Sequence, residues 1–166
     1  MSTVSMSPST PKRSTLVPRL ATFAYGLFAY ACFFATILYA IGFVGNWIVP
    51  KSIDSGAAGP IVPSLLVNAA LLMVFVVQHT IMARPGFKRW VTRYIPASIE
   101  RSTFVIAASA SLGLAFWQWR PLPQVIWNVG EGASFYLLTL LSITGWVIVF
   151  LSTFMVSHFD LFGLRQ

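Results

Sequence analysis

The chain has 166 residues, of which 57% are hydrophobic and 9% charged, with a net charge of +7. A soluble domain carries nearer a quarter charged residues, so this composition excludes an ordinary water-soluble fold. The positive balance does not argue for nucleic acid, because the basic residues cluster before residue 20 and between 84 and 101, flanking apolar runs.

Four intervals hold no Asp, Glu, Lys or Arg: 20–50, 55–83, 102–119 and 132–159. A helix crossing a bilayer needs roughly 20 mostly apolar residues. Three intervals exceed that, and 102–119 meets it when Arg101 and Arg120 snorkel to the interfaces. The pattern predicts an all-α polytopic membrane protein. A disordered Ser/Thr/Pro-rich tail (1–18) precedes a single transmembrane domain (19–166), with spans at about 20–46, 62–83, 99–118 and 133–157. The first apolar run follows Lys12, Arg13 and Arg19 as a signal peptide would, but it is too long for one and lacks an A-x-A site. It reads as an uncleaved first helix.

In span 1, Ala31 with Ala35 and Gly42 with Gly45 are small residues expected to let helices approach closely. Cys32, the single cysteine, reads as a buried packing residue. Trp47 suits an interface. The connection 50–63 is punctuated by Pro50, Gly56, Gly59, Pro60 and Pro63. In span 2, Asn68 and His79 stand about three helical turns apart and so share a face, where a membrane helix turns its polar groups towards protein.

Residues 85–95 place Phe87, Trp90, Val91, Tyr94 and Ile95 on one face and Lys88, Arg89, Thr92 and Arg93 on the other. This predicts a short amphipathic helix in the headgroup plane, opened by Pro85 and closed by Pro96, its cations anchored on anionic lipid. Span 3 is expected to start with Ser98 as N-cap and Glu100 on the helix dipole, with Ser109 and Gly113 as a packing pair. Trp117 and Trp119 mark its far end. In span 4, Ser142, Thr144, Gly145, Ser152 and Thr153 are available for packing and hydrogen bonds.

Nine positive residues lie in the two termini and the 84–101 connection, against Lys51 and Arg120 in the other two loops. The bias predicts an inner-membrane protein with both termini cytoplasmic. That topology gathers His79, Glu100, Arg101, His158, Asp160 and Arg165 at one membrane lip. Ionisable groups at membrane depth are functional candidates; the plainer reading is that they fasten helix ends. No GxGxxG, P-loop, HExxH or CxxC is present. Two histidines are too few for a protein zinc site without carboxylates.

The segments QHTIMARPGFKRW, IPASIERSTFV, FWQWRP and STFMVSHFDLFGLRQ resemble the methanethiol S-methyltransferases. These are NnrU-like membrane proteins, related more distantly to the isoprenylcysteine carboxyl methyltransferases. The resemblance covers roughly residues 20–166 and is most specific in the tail. It implies S-adenosylmethionine-dependent methylation of methanethiol to dimethyl sulfide in the membrane, with a small thiol as substrate and lipid as surroundings. It also implies that the family continues past the residue matching Gln166, into a region that supplies most of the S-adenosylmethionine site in the related enzymes.

The chemistry then suggests roles. A thiol attacks as its thiolate, and a simple alkyl thiol needs a base near neutral pH. His79 or His158 is the candidate base, and Arg101 or Arg165 would favour the thiolate. Glu100 or Asp160 would orient the imidazole or contact the cationic cofactor. As site assignments, His79, His158, Glu100 and Arg101 are catalytic and Asp160 and Arg165 bind the cofactor. Two other classes compete. A haem-binding anchor would use His79 and His158 as axial ligands and show a Soret band. A non-catalytic membrane partner would need none of these groups.

Overall fold

The computed structural model describes residues 16–122, 124–125 and 128–155. It contains α1 (Leu16–Gly45), α2 (Ile61–Ala83), the short α3 (Pro85–Val91), α4 (Ala97–Gln118) and α5 (Ala133–Met155). No strand occurs among the described residues. Four of these helices are long and apolar enough to cross a membrane, so the all-α, multi-pass reading holds. The four span expectations correspond to α1, α2, α4 and α5. Within α1 the candidate span runs Arg19–Gly45, so Arg19 stands at its outer end and can snorkel.

Proline sets three of the helix starts. Pro60 and Pro96 are extended (ψ 134° and 138°) and act as the N-caps of α2 and α4, without side-chain capping bonds. Arg84 precedes Pro85 and is extended for that reason (φ −73°, ψ 139°), which ends α2 and opens α3. Ser98 is therefore not the N-cap: α4 begins at Ala97, and Ser98 falls inside its first turn. Glu100 does lie in that first turn. The amphipathic helix is shorter than its sequence pattern. It stops at Val91, where the Thr92 hydroxyl bonds back to the Lys88 carbonyl (2.8 Å) and the chain turns towards Pro96.

α4 is the axis of the bundle and packs against both α1 and α2. Towards α1 the contact is made by Ala29 against Val105, with Tyr30, Phe33, Phe104 and Ile106 around them. The Tyr25 and Thr103 hydroxyls bond at 3.1 Å. Further along, Phe116 meets Tyr39 and Phe43 (ring centroids 5.3 and 4.9 Å), and Trp119 sits edge-on to Phe43 at 5.8 Å. Towards α2 the Asn68 carboxamide takes both backbone groups of Arg120. Its Nδ2 donates to the carbonyl at 2.7 Å, and its Oδ1 accepts from the amide at 2.9 Å.

Only some of the small residues that the sequence pattern marked are used in packing. Ala31 and Ala35 are exposed, whereas Gly26 and Ala29 are buried. Ser109 is buried, but Gly113 is exposed with open space beside it. Gly42 serves its own chain: a Cβ there would lie 2.6 Å from Val49 Cγ1 and 2.7 Å from the Trp47 carbonyl oxygen. The Trp47 amide donates to the Gly42 carbonyl at 2.9 Å, and the turn holds Asn46 and Ile48 at positive φ (56° and 58°). Cys32 is half-buried rather than buried.

Among the described residues the buried hydrophobic core is Ala29, Phe43, Val105 and Ala115, with Gly26, Gly42 and Pro121 buried besides. So small a core cannot hold the chain against conformational entropy in water, and the long exposed apolar faces need lipid as their solvent. α5 shows this most plainly: none of its candidate span, Ala133–Ser152, is buried. Two of its hydroxyls turn back onto the helix. Thr144 and Ser152 bond back to the Leu140 and Val149 carbonyls of their own helix.

Candidate functional site

α2 and α4 run antiparallel, with Asn68 beside Arg120 at one end and His79 beside Phe104 at the other. The second end also holds α3 and the start of α4. Arg84, Lys88, Arg89, Arg93, Glu100 and Arg101 therefore share one end of the bundle. Lys51, Asp54 and Arg120 occupy the opposite end.

His79 lies on the α4 side of α2, as the shared face with Asn68 requires. Its ring rests between Phe75 (centroids 5.4 Å) and Phe104 (5.1 Å), and the residue is exposed on its remaining side. Phe104 follows Glu100 by four residues and Arg101 by three, so all three stand on one face of α4 within a turn. Glu100 is half-buried and Arg101 exposed. The structure thus brings His79, Glu100 and Arg101 to the same end of one helix pair, the imidazole about one turn deeper than the charged groups. His158, Asp160 and Arg165 lie outside the described residues. α5 runs antiparallel to α1, its Phe150 6.5 Å from Phe34, and so heads towards the end where His79 lies. Among the described residues no three His, Cys, Asp or Glu side chains gather as a metal site.

The structure adds one polar group that is not among the predicted site residues, Gln78. Its Oε1 accepts from the Ser111 hydroxyl at 3.3 Å, and its Nε2 donates to the Met82 sulfur at 3.1 Å. Ser111 is itself buried, and its one hydroxyl proton is shared between Gln78 and the nearer Ala108 carbonyl at 2.9 Å. The signal available was a carboxamide in a charge-free interval, which needs an interhelical partner in lipid.

Two hollows flank the bundle. One, about 720 Å³, opens between α1 and α5 and is lined by apolar side chains such as Phe33, Ile37, Leu138 and Phe150, with Thr139 and Ser142 among its few polar groups. The other, about 810 Å³ and wide open, lies at α3 against Arg84, Phe87, Arg89 and Trp90.

The chain is 52% identical over 148 residues to a methanethiol S-methyltransferase of Mycobacterium tuberculosis (strain ATCC 25618 / H37Rv), covering 89% of this chain and 61% of that protein. It is 46% identical over 153 residues to a methanethiol S-methyltransferase of Crocosphaera subtropica (strain ATCC 51142 / BH68), covering 92% of this chain and 60% of that one. Nurim of Mus musculus is 30% identical over 112 residues, 64% of this chain and 42% of Nurim. The chain therefore spans about three fifths of the length of these two methyltransferases and less than half of Nurim. No family model matches, and no solved structure matches.

Proposed function

We propose, from the chain's kinship with the methanethiol S-methyltransferases over nearly nine tenths of its length, that it forms the thiol-handling part of an inner-membrane enzyme. That enzyme methylates methanethiol to dimethyl sulfide, with S-adenosylmethionine as methyl donor. The observation that carries the reading is the placement of His79. Its imidazole is walled by Phe75 and Phe104 and open on one side, with Glu100 and Arg101 within a turn of Phe104 at the same end of the bundle.

That arrangement suits a small apolar thiol arriving laterally through lipid. The S–H bond breaks, the proton passes to an imidazole nitrogen of His79, and the electron pair stays on sulfur. The Arg101 guanidinium favours the thiolate electrostatically, and Glu100 favours the imidazolium left behind. Both termini and the basic 84–101 connection face the cytoplasm in this reading, which is where a soluble methyl donor is found.

The described residues do not fit S-adenosylmethionine. The α1–α5 hollow is too apolar for an adenosine and a zwitterionic amino acid. The α3 hollow offers Arg84 and Arg89, which suit only the cofactor's carboxylate, and its lining has no acidic side chain for the sulfonium or the ammonium. S-adenosylmethionine supplies a methyl group on a sulfonium when bound. We assign it no contact within α1–α5 and leave Asp160 and Arg165 as its candidate ligands in this chain.

The test is dimethyl sulfide production by the protein at its natural length, followed by gas chromatography. Replacing His79 and His158 together by alanine is expected to lower the rate at least about 100-fold, the usual contribution of a general base. Full activity in the double variant overturns the assignment. A Soret band in the purified protein would instead favour the haem-anchor reading.

A further inference from the structure

Gln78 has a contact that interhelical packing alone does not require. A carboxamide carries two N–H donors and a carbonyl with two lone pairs. The oxygen faces the Ser111 hydroxyl across the α2–α4 seam (3.3 Å), whose one proton it shares with the Ala108 carbonyl, and the nitrogen faces away from Ser111. That nitrogen donates to the sulfur of Met82, one turn further along α2, at 3.1 Å. The group accepting this bond is a methyl thioether, CH3–S–CH2, which is chemically the same group as dimethyl sulfide. Gln78 is thus an oriented donor already engaged with a divalent sulfur, next in sequence to the candidate base His79.

We infer that the Gln78 carboxamide binds the sulfur of the substrate, and that the Met82 thioether holds this place until a thiol displaces it. The inference rests on the methyltransferase reading for the identity of the ligand, and deepens it by naming the sulfur-binding residue. Both Gln78 and Met82 are half-buried, so a thiol of two heavy atoms reaches the amide when the end of Met82 swings aside. An unbranched thioether with several rotatable bonds does this readily. An N–H donor to sulfur bonds a thiolate more strongly than a thiol or a thioether, because the bond becomes charge-assisted. The same donor therefore favours the reactive form of the substrate and releases the neutral product, whose place Met82 retakes.

The experiment uses the protein at its natural length in lipid nanodiscs, with 13C in the methionine methyl groups. The Met82 signal is assigned by its loss in Met82→Leu. Methanethiol and then dimethyl sulfide are titrated without any methyl donor. The Met82 methyl resonance is expected to shift saturably with both, and to stay fixed in Gln78→Leu. In steady-state kinetics Gln78→Leu is expected to raise KM for methanethiol about 10- to 100-fold, the range for a bond to a charged group. Met82→Leu, which keeps the volume and removes the competing sulfur, is expected to lower KM. A Met82 resonance unmoved at saturating thiol, or a KM unchanged or raised in Met82→Leu, overturns the inference. Methylation with an unmoved Met82 signal rejects the sulfur site and leaves the proposed function standing. A saturable shift in a protein that makes no dimethyl sulfide rejects the proposed function and leaves the sulfur site standing.

Discussion

The α2–α4 seam and the α1–α5 cleft are both contacts between apolar helices, yet they are built in opposite ways. The seam is closed by side-chain polar groups: Asn68 on both backbone groups of Arg120, Gln78 on Ser111, and His79 packed on Phe104. The cleft has aromatic and aliphatic side chains on both walls, and hydroxyls of α5 bond within their own helix. In lipid, apolar surface gains nothing by leaving the solvent, because the solvent is equally apolar. Polar pairs and close small-residue contacts fix a helix pair, and apolar length alone does not. The seam is therefore a defined structure in which chemistry can be positioned, while α5 is a helix whose outer face the surroundings must complete.

Disturbing the seam is expected to have the largest effect. Asn68→Leu removes two hydrogen bonds at once and leaves a backbone N–H and C=O of Arg120 without these partners. A loss of about 2–3 kcal/mol follows, measured as a lowered midpoint in reversible unfolding in mixed micelles. Next comes Gly42→Ala, because its methyl would meet the Trp47 carbonyl oxygen and Val49 at under 3 Å. About 1–3 kcal/mol is expected from that overpacking, read in the same assay. Lys51→Met is smaller again. The Lys51 ammonium bonds the Trp117 carbonyl in the last turn of α4, where a cation suits the helix dipole. Its loss should cost about 1 kcal/mol. At the cleft, Thr139→Val and Ser142→Ala are expected to change stability by less than about 0.5 kcal/mol. A large loss at either would show that α5 is held by polar contacts after all, and the contrast would fail.

How much was legible in the sequence follows from the same physics. Charge-free length located α1, α2, α4 and α5, because exclusion of charge is what the bilayer demands of each span separately. Starts were less legible. Ser98 looked like a cap, but the extended Pro96 already satisfied the geometry of a helix entry one residue before Ala97. Packing faces were least legible. Ala31 and Ala35 had the right spacing, yet Gly26 and Ala29 face the bundle, since hydropathy does not distinguish a lipid-facing side from a protein-facing one. The polar groups did announce themselves. Asn68 and His79 were expected on one face and both meet α4. Glu100 and Arg101 were expected at the membrane lip with His79 and stand at that end of the helix pair. Gln78 was not legible as a site residue, because its position in an apolar interval does not distinguish a packing carboxamide from a binding one. Its partners, Ser111 and Met82, emerge only when the two helices are set side by side.

The most direct test of the central claim is one rate comparison. Wild-type protein at its natural length and its His79→Gln variant are supplied with methanethiol and S-adenosylmethionine, and dimethyl sulfide is measured over time. The account predicts a steady rate for the wild type and at least about a 100-fold slower one for the variant, with the variant still folded. Equal rates would contradict it, and would make the histidine between Phe75 and Phe104 a packing residue.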